Sequence, residues 1–392
     1  MKKKVSAVLF GAGGYGQKTA ADLFQNMQDY GLELVGVADP VFKMLPLRDE
    51  FIARGIPNYP TPEDFYRENK ADLALVCTPI PFHEKNVLCA LENGSDVLCE
   101  KPIAANPGQA LRMKEAAEKA GKHLNIGFQL SYTPAILKLK EDILSGAFGK
   151  PLRFSALVCW PRNKAYYARS WCATRIWKGL PTNDSIAMNA CAHYLHLMYF
   201  LLGDAMASSA YPDEAEMLLL RANSIETFDS SFFRIHSKGC EIRFLATHTS
   251  RERIDPVMRF EFENAVAAVR HSADQNAVSV TFRDGTKKDY GSVLDFVFHK
   301  IPYCCDVFRG EKEPVCTVDT AMPHLVTVDA ANRLVPVLEI EKANIENETV
   351  VLPGIEEILK ESFDGNRMPW ELTDRFGSPT EIRFPEKEGV KA

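Results

Sequence analysis

The stretch Ser6-Ala7-Val8-Leu9-Phe10-Gly11-Ala12-Gly13-Gly14-Tyr15-Gly16 decides the fold. Its first five residues form a strand-like apolar run, and the glycines read G-x-G-x-x-G ahead of a helical segment, Gln17 to Gln28. The missing side chains allow a tight turn, let backbone approach a pyrophosphate, and permit close helix packing, while the helix N-terminus supplies N–H donors and a positive dipole. Asp39 closes the next strand about 20 residues on, where a carboxylate accepts hydrogen bonds from an adenosine ribose. The pattern points to dinucleotide binding by Gly11, Ala12, Gly13, Gly14, Tyr15, Gly16 and Asp39. Asp39 favours NAD, because a carboxylate repels the 2′-phosphate of NADP; Lys43 and Arg48 follow closely and keep NADP possible.

Outward from this motif, further strand-like runs at Leu32–Ala38, Leu73–Cys77, Val97–Cys99 and Leu124–Phe128 alternate mostly with helix-length segments. That alternation predicts a parallel, doubly wound sheet. Asn106-Pro107-Gly108-Gln109 marks a helix start, with a capping Asn and Pro at the first helical position. After Tyr132 a helix is expected over Pro134–Ser145. Strand-like runs then dominate: Leu152–Trp160, Ser231–His236, Glu241–His248, Arg259–Glu263 and Val278–Phe282. Ser237-Lys238-Gly239 and Asp284-Gly285 are hairpin signals, so an α+β domain with an antiparallel sheet is expected. The reading is α/β overall, with residues 1–130 as a Rossmann domain and 131–392 as a substrate-binding domain. Gly365 to Ala392 mixes Pro, Gly and charge and reads as a surface tail.

The length, 392 residues, fits two domains, and 46% hydrophobic with 25% charged residues is ordinary globular composition. With 46 Lys+Arg against 52 Asp+Glu, the net charge of -6 argues against a nucleic-acid partner. Ten cysteines without CxxC spacing read as reduced thiols, hence a cytoplasmic protein. The apolar run after Met1-Lys2-Lys3-Lys4 enters glycines too soon for a secretory signal. Ser185 to Gly203, uncharged but containing Asn189, His193 and His196, reads as a buried helix rather than a membrane span.

Thr78-Pro79 and Glu100-Lys101-Pro102 follow the third and fourth strands, on the side where open α/β sheets bind ligands. Lys101 there is either a group that exchanges a proton with a substrate or a solvated lysine at a strand end. Together, the glycine turn, Asp39, Cys77-Thr78-Pro79 with Phe82-His83, and Leu98-Cys99-Glu100-Lys101-Pro102 resemble the Gfo/Idh/MocA oxidoreductases. Gly146 to Phe154 resembles that family's entry into its second sheet. The resemblance implies a Rossmann domain, a second domain on an open, largely antiparallel sheet, Lys101 as the catalytic lysine, and redox chemistry on a hydroxyl of a sugar, cyclitol or polyol. The candidate cofactor set then comprises the glycine-loop residues, Asp39, Thr78, Pro79, His83, Glu100, Lys101 and Gln129. Family members often pair through the open sheet, which implies a homo-oligomer.

The family's Asp-x-x-x-His helix corresponds to Asn189 through His193, so His193 matches the histidine and Asn189 stands where the acid would be. Four residues apart on a helix, the two share a face. An amide can orient a hydroxyl but is no base. His193, His196 and Cys191 lack a completing carboxylate, so no metal site is expected. Trp160, Tyr166, Arg169 and Arg175 read either as a substrate wall, with rings for sugar faces and guanidinium forks for hydroxyls, or as an interface cluster. The leading function is an NAD(P)-dependent dehydrogenase or reductase with Lys101 and His193 catalytic. The alternatives are an NAD-retaining glycoside hydrolase of the same fold and a dinucleotide-responsive regulator.

Overall fold

β1 (Val5–Phe10), β2 (Leu32–Ala38), β3 (Asn58–Tyr59), β4 (Leu73–Val76), β5 (Asp96–Cys99) and β6 (Leu124–Ile126) form one parallel sheet in the order β3-β2-β1-β4-β5-β6. Between them run α1 (Tyr15–Asn26), α2 (Arg48–Ala53), α3 (Pro62–Glu68), α4 (His83–Glu92) and α5 (Pro107–Ala120). The structure, a computed structural model, describes residues 3–385. β4 and β5 are buried along their whole length, as parallel strands covered on both faces are. Strand order reverses between β1 and β4, which opens a crevice at their carboxyl ends. The local cap signals are realised: Asn106 Oδ1 accepts from the Gln109 N–H (3.0 Å), and Gly121, left-handed, ends α5. Two-residue β3 was too short to read in the sequence.

The remaining elements are α6 (Pro134–Leu144), β7 (Pro151–Cys159), α7 (Lys164–Tyr167), β8 (Ile176–Trp177), β9 (Leu180–Pro181), α8 (Ala192–Leu201), β10 (Glu214–Arg221), β11 (Ser230–Ser237), β12 (Cys240–Thr247), β13 (Ile254–Phe262), β14 (Ala265–His271), β15 (Asn276–Phe282) and β16 (Lys287–Gly291). They are followed by α9 (Lys300–Phe308), α10 (Val318–Leu334), β17 (Val337–Glu339), β18 (Asn344–Glu346), β19 (Thr349–Val351), α11 (Ile355–Gly365), α12 (Pro369–Leu372) and β20 (Thr380–Arg383). The large sheet runs β16-β15-β14-β13-β7-β12-β11-β10-β17, with β20 also on β10. Its pairs are antiparallel except β7–β12 and β10–β17. Both expected hairpin turns, at Lys238-Gly239 and Asp284-Gly285, connect neighbouring strands. The expected fold class, a Rossmann sheet followed by a largely antiparallel one, is borne out.

The first unit comprises the residues up to Tyr132 together with Val297–Met322; the second comprises Thr133–Phe296 and the chain from Pro323 on. The expected single division after residue 130 is thus amended, because a later segment returns to the first unit. Edge-strand hydrogen bonding accounts for this return: the Ile126 N–H of β6 donates to the Cys316 carbonyl (2.8 Å), and the Tyr132 hydroxyl donates to the same carbonyl (3.3 Å). Arg309 donates to the carbonyls of Lys3, Tyr30 and Gly31 (2.8, 3.0 and 2.9 Å), and Ile301, Cys304, Cys305 and Val307 are buried.

The expected surface tail is corrected as well. Leu352, Ile355, Leu359, Phe363, Met368 and Phe376 pack on Leu157, Cys159, Leu218, Leu220, Phe232 and Leu245 of the large sheet, and β20 adds a strand. Residues 365–385 therefore hold structure, and 386–392 lie outside the described residues. This cover packs on the side chains of β7 and β10–β12. Among the described residues all ten cysteines are free thiols, and no helix is long and apolar enough to cross a membrane.

Candidate functional site

In the first unit, the glycine turn leaves β1 with the Gly11 N–H donating to the Ala38 carbonyl (2.9 Å). Gly16 is required by close approach: a Cβ there would sit 2.0 Å from the Gly11 carbonyl oxygen. Asp39, buried at the end of β2, latches the turn, its Oδ2 accepting from the Ala12 N–H and its Oδ1 from the Val41 N–H (2.9 Å each). Each oxygen keeps further lone-pair capacity for a ribose hydroxyl. Gly14 faces open space, so the cradle fits a dinucleotide. Lys43 is exposed, and Arg48 pairs with Asp49 at 3.5 Å.

At the ends of β4 and β5 the expected residues fall into different roles. Thr78 packs on Gly11, and its Oγ1 accepts from the Asn86 amide (3.0 Å). His83, expected among cofactor-binding groups, is fully buried, with Nε2 2.8 Å from the Thr78 carbonyl and Nδ1 2.9 Å from the Pro102 carbonyl. Burial depresses its basicity despite those carbonyls and Glu100, and the ring ties the two strand ends together rather than presenting a free edge. Pro102 is joined to Lys101 by a cis peptide bond, and Lys101 itself is half-buried.

Glu100 carries the most constrained charge here. Its Oε1 is paired with the Lys300 ammonium of α9, and its Oε2 accepts from the Lys101 N–H (3.3 Å). A Cβ on Gly127 would lie 3.0 Å from that carboxylate, a tight approach that a larger residue could make only if Glu100 shifted. Lys300 also donates to Tyr15 Oη (3.3 Å) and the Gly127 carbonyl (3.5 Å), and lies 4.7 Å from the Tyr15 ring centroid. Burial works against its charge, but Glu100 and Tyr15 outweigh it and the ammonium is held above its ordinary range. Burial pushes the Tyr15 phenol up to about 12, so it stays a neutral donor, to Gln129 Oε1 at 3.4 Å. Sequence reasoning missed Lys300; the signal was a lone cation inside the apolar run Val297-Phe298-His299-Lys300-Ile301.

In the second unit the expected continuous helix is broken. Ile186–Ala190 is a π-turn in which the Cys191 N–H reaches the Ile186 carbonyl (2.8 Å), and Cys191 (φ -109°, ψ 10°) separates it from α8. Asn189 and His193 therefore do not share one α-helical face. The Asn189 amide donates to Asp184 Oδ1 (2.8 Å), whose Oδ2 accepts from the Ala173 N–H (2.6 Å). The NH₂ of Asn189 is thus turned to that carboxylate. Burial raises the Asp184 carboxyl, with Ala173, Asn189 and Arg169 pulling the other way. Asp184 also escaped the sequence reading, although it lies five positions before Asn189. His193 is half-buried at the start of α8.

Trp160, Tyr166 and Arg169 are brought together, and Arg175 is not. Arg162 lies over both Trp160 (5.4 Å) and Tyr166 (4.7 Å), and Arg169 lies over Tyr166 (4.1 Å). Trp160 donates to Asp255 (2.7 Å), and Tyr166 packs edge-on against His248. Arg175 instead donates to the Asn332 carbonyl (3.1 Å). Among the described residues no group of three His, Cys, Asp or Glu could hold a metal.

A parallel sheet with a latched glycine turn at its switch point defines a dinucleotide-binding Rossmann unit. Residues 5–128 match the family model GFO_IDH_MocA, described as an oxidoreductase family with an NAD-binding Rossmann fold. Inositol 2-dehydrogenase 4 of Saccharopolyspora erythraea is 34% identical over 148 residues, 37% of this chain and 42% of that protein. D-glucoside 3-dehydrogenase of Escherichia coli is 32% identical over 143 residues, 36% of this chain and 40% of that protein. The chain thus aligns with less than half the length of these curated relatives. The WlbA dehydrogenase of Bordetella pertussis, solved with NADH and UDP-GlcNAcA, superposes with a TM-score of 0.69 at 20% identity, over 84% of this chain and 95% of that one, a likeness of fold. The likeness to this family is carried by residues 5–128, which form the parallel sheet and its helices.

Proposed function

We propose that this protein is an NAD(P)-dependent oxidoreductase acting on the CH–OH or carbonyl group of a sugar, cyclitol or related polyol. The observation that carries this reading is the Asp39-latched glycine turn together with Lys101 at the carboxyl end of β5. Relatives named as inositol and glucoside dehydrogenases support the substrate class. NAD, when bound, supplies the hydride acceptor or donor. The glycine turn and the α1 N-terminus receive the pyrophosphate, and Asp39 accepts from the ribose and selects NAD over NADP. Lys101 takes the proton from the substrate hydroxyl in oxidation and returns it in reduction. His193 assists that transfer, and Asn189, its NH₂ held by Asp184, positions a substrate hydroxyl. Trp160, Tyr166 and Arg169 contribute stacking faces and donors, whereas Arg175 supports the fold.

Ten free cysteines support a cytoplasmic location. The expected self-association through the large sheet would use exposed side chains such as Val266 (41% exposed), Ser279 and Thr281; sedimentation velocity reads that state directly. The test of function is an NAD and NADP screen across sugars, cyclitols and sugar acids, repeated with Lys101→Met. The variant keeps NAD binding and loses about 10²–10⁴-fold in kcat, while His193→Asn loses less. Near-normal turnover by Lys101→Met refutes the assignment. Tightly retained NAD with glycosidic cleavage and no net NADH would instead identify the hydrolase.

A further inference from the structure

Three arginines of the second unit stack on the Trp160 and Tyr166 rings, and they are not alike. Arg253, 5.3 Å from the Trp160 centroid, is neutralised by Asp255 at 2.6 Å. Arg162 and Arg169 have no ion pair among the described residues and are held by rings instead: Arg162 over Trp160 and Tyr166 (5.4 and 4.7 Å), Arg169 over Tyr166 and Trp171 (4.1 and 5.6 Å). The Arg162 Nε is sealed from water without a hydrogen-bond partner. Arg169 donates only to the Tyr166 carbonyl (3.0 Å) and to the Cys172 sulfur (3.2 Å), a weak acceptor that a stronger one displaces. The surrounding acids are committed elsewhere. Asp184 accepts from the Ala173 N–H and the Asn189 amide, Asp229 from Ala222 and Asn223, and Asp255 from Trp160 as well as Arg253. Both unpaired cations help hold the buried His248, edge-on to Tyr166, in its neutral form. Two guanidiniums therefore lie over one phenol ring with no carboxylate in contact with either.

We propose that Arg162 and Arg169 form a receptor for an oxyanion carried by the substrate, a carboxylate or a phosphate, so that the polyol acted on is an anion rather than a neutral sugar. A planar guanidinium fork matches such an oxyanion in two parallel hydrogen bonds, and a cation held on a ring face keeps its in-plane donors for that purpose. The receptor is fixed before any ligand arrives. The N–H groups of Trp160 and Arg162 donate to the carbonyls of Thr247 and His248 (2.9 and 3.2 Å), which continues the pairing of β7 with β12, and the Asn163 side chain caps α7 through the Tyr166 N–H (3.2 Å). It also borders the residue assigned to a substrate hydroxyl, because the Asp184 carboxylate that holds the Asn189 amide acts electrostatically on Tyr166 and Arg169. This inference deepens the dehydrogenase reading and rests on it for the redox step, but anion binding is measured without turnover.

The experiment is isothermal titration of the full-length protein, saturated with NADH, with methyl α-D-glucoside and myo-inositol as neutral probes, methyl α-D-glucuronide and D-gluconate as carboxylates, and methyl α-D-glucoside 6-phosphate as the phosphate. NADH reduces none of these, so binding is read alone. The tightest anion should bind at least about tenfold better than the tightest neutral probe, the advantage that one hydrogen bond to a charged group supplies, and the two anionic arms tell carboxylate from phosphate. Arg162→Met and Arg169→Met should each bring that ratio close to one. Anions that bind no better than the neutral probes, or a preference that survives either methionine variant, overturn the proposal. If Arg162→Met does not fold, Arg162→Lys decides: it keeps the charge and loses the fork, so the ratio must fall by about threefold or more, and an unmoved ratio overturns the proposal. NAD reduction by the same compounds is assayed separately. Anions that bind through Arg162 and are never oxidised sink the dehydrogenase reading and leave the receptor standing, whereas neutral polyols that are oxidised while anions bind no better do the reverse.

Discussion

Removing the Asp39 carboxylate tests the glycine-turn latch and cofactor choice in one variant. Asp39→Ala deletes two charge-assisted hydrogen bonds, from the N–H groups of Ala12 and Val41. Val41 is 53% exposed, so water replaces its lost acceptor, whereas Ala12 is 1% exposed and its N–H is left without one. A buried unsatisfied donor costs about 1–3 kcal/mol, and a hydrogen bond to a charged group contributes about 1.5–3 kcal/mol, so a net loss of about 2–3 kcal/mol follows. For a unit of this size that lowers Tm by roughly 5–10 °C. Differential scanning calorimetry reads the stability and isothermal titration the cofactor. NAD affinity should fall and the preference for NAD over NADP should disappear, because both the ribose acceptor and the repulsion of a 2′-phosphate are gone. A Tm within about 1 °C of wild type would refute the latch, since that is less than the effect of one lost hydrogen bond. Tighter NADP binding by wild type would refute the selectivity argument and turn attention to Lys43 and Arg48.

The C-terminal cover and the buried His248 give two further expectations. Leu359→Ala, at a fully buried position of α11, should cost about 2–5 kcal/mol in chemical denaturation while leaving NAD titration unchanged; a loss below about 0.5 kcal/mol would mean the cover is not part of the core. His248 is held down to about 3, by burial first and Arg162 second, and its Nδ1 lies 2.8 Å from the Trp160 carbonyl. Its folded value lies below the unfolded one of about 6.5, so the unfolded chain takes the proton first: the contribution is complete above about pH 6.5 and is lost as pH falls toward 3. Urea titrations of wild type and His248→Gln between about pH 6.5 and about pH 4.5 should differ in slope by about 1.4 kcal/mol per pH unit, and parallel slopes would refute the assignment.

The parts of the fold legible in the sequence were those set by neighbours along the chain. Apolar runs such as Leu32–Ala38, the cap at Asn106-Pro107 and the turn at Lys238-Gly239 each carry their cause within a few residues. What escaped depends on partners far away. Nothing near Glu100 announces Lys300, and nothing in Val297–Met322 announces that its acceptors and donors belong to β6 and Tyr132. The break at Cys191 has no Pro or Gly to mark it and arises from a π-turn. Met368, Phe376 and Ile382 are buried without helical or strand periodicity, so their stretch read as a tail although each fills a place in the core.

The return of Val297–Met322 to the first unit has a consequence for biosynthesis. A ribosome releases the six strands of the parallel sheet early, yet the counter-ion of Glu100 and the edge partner of β6 emerge only after Thr133–Phe296 has been translated, a delay of roughly ten to thirty seconds at about 5–20 residues per second. Throughout that interval the nascent Rossmann sheet carries an unmatched carboxylate and an open rim. It must wait, partly formed, for a segment encoded on the far side of the other sheet, so the two halves cannot mature as independent beads on a string.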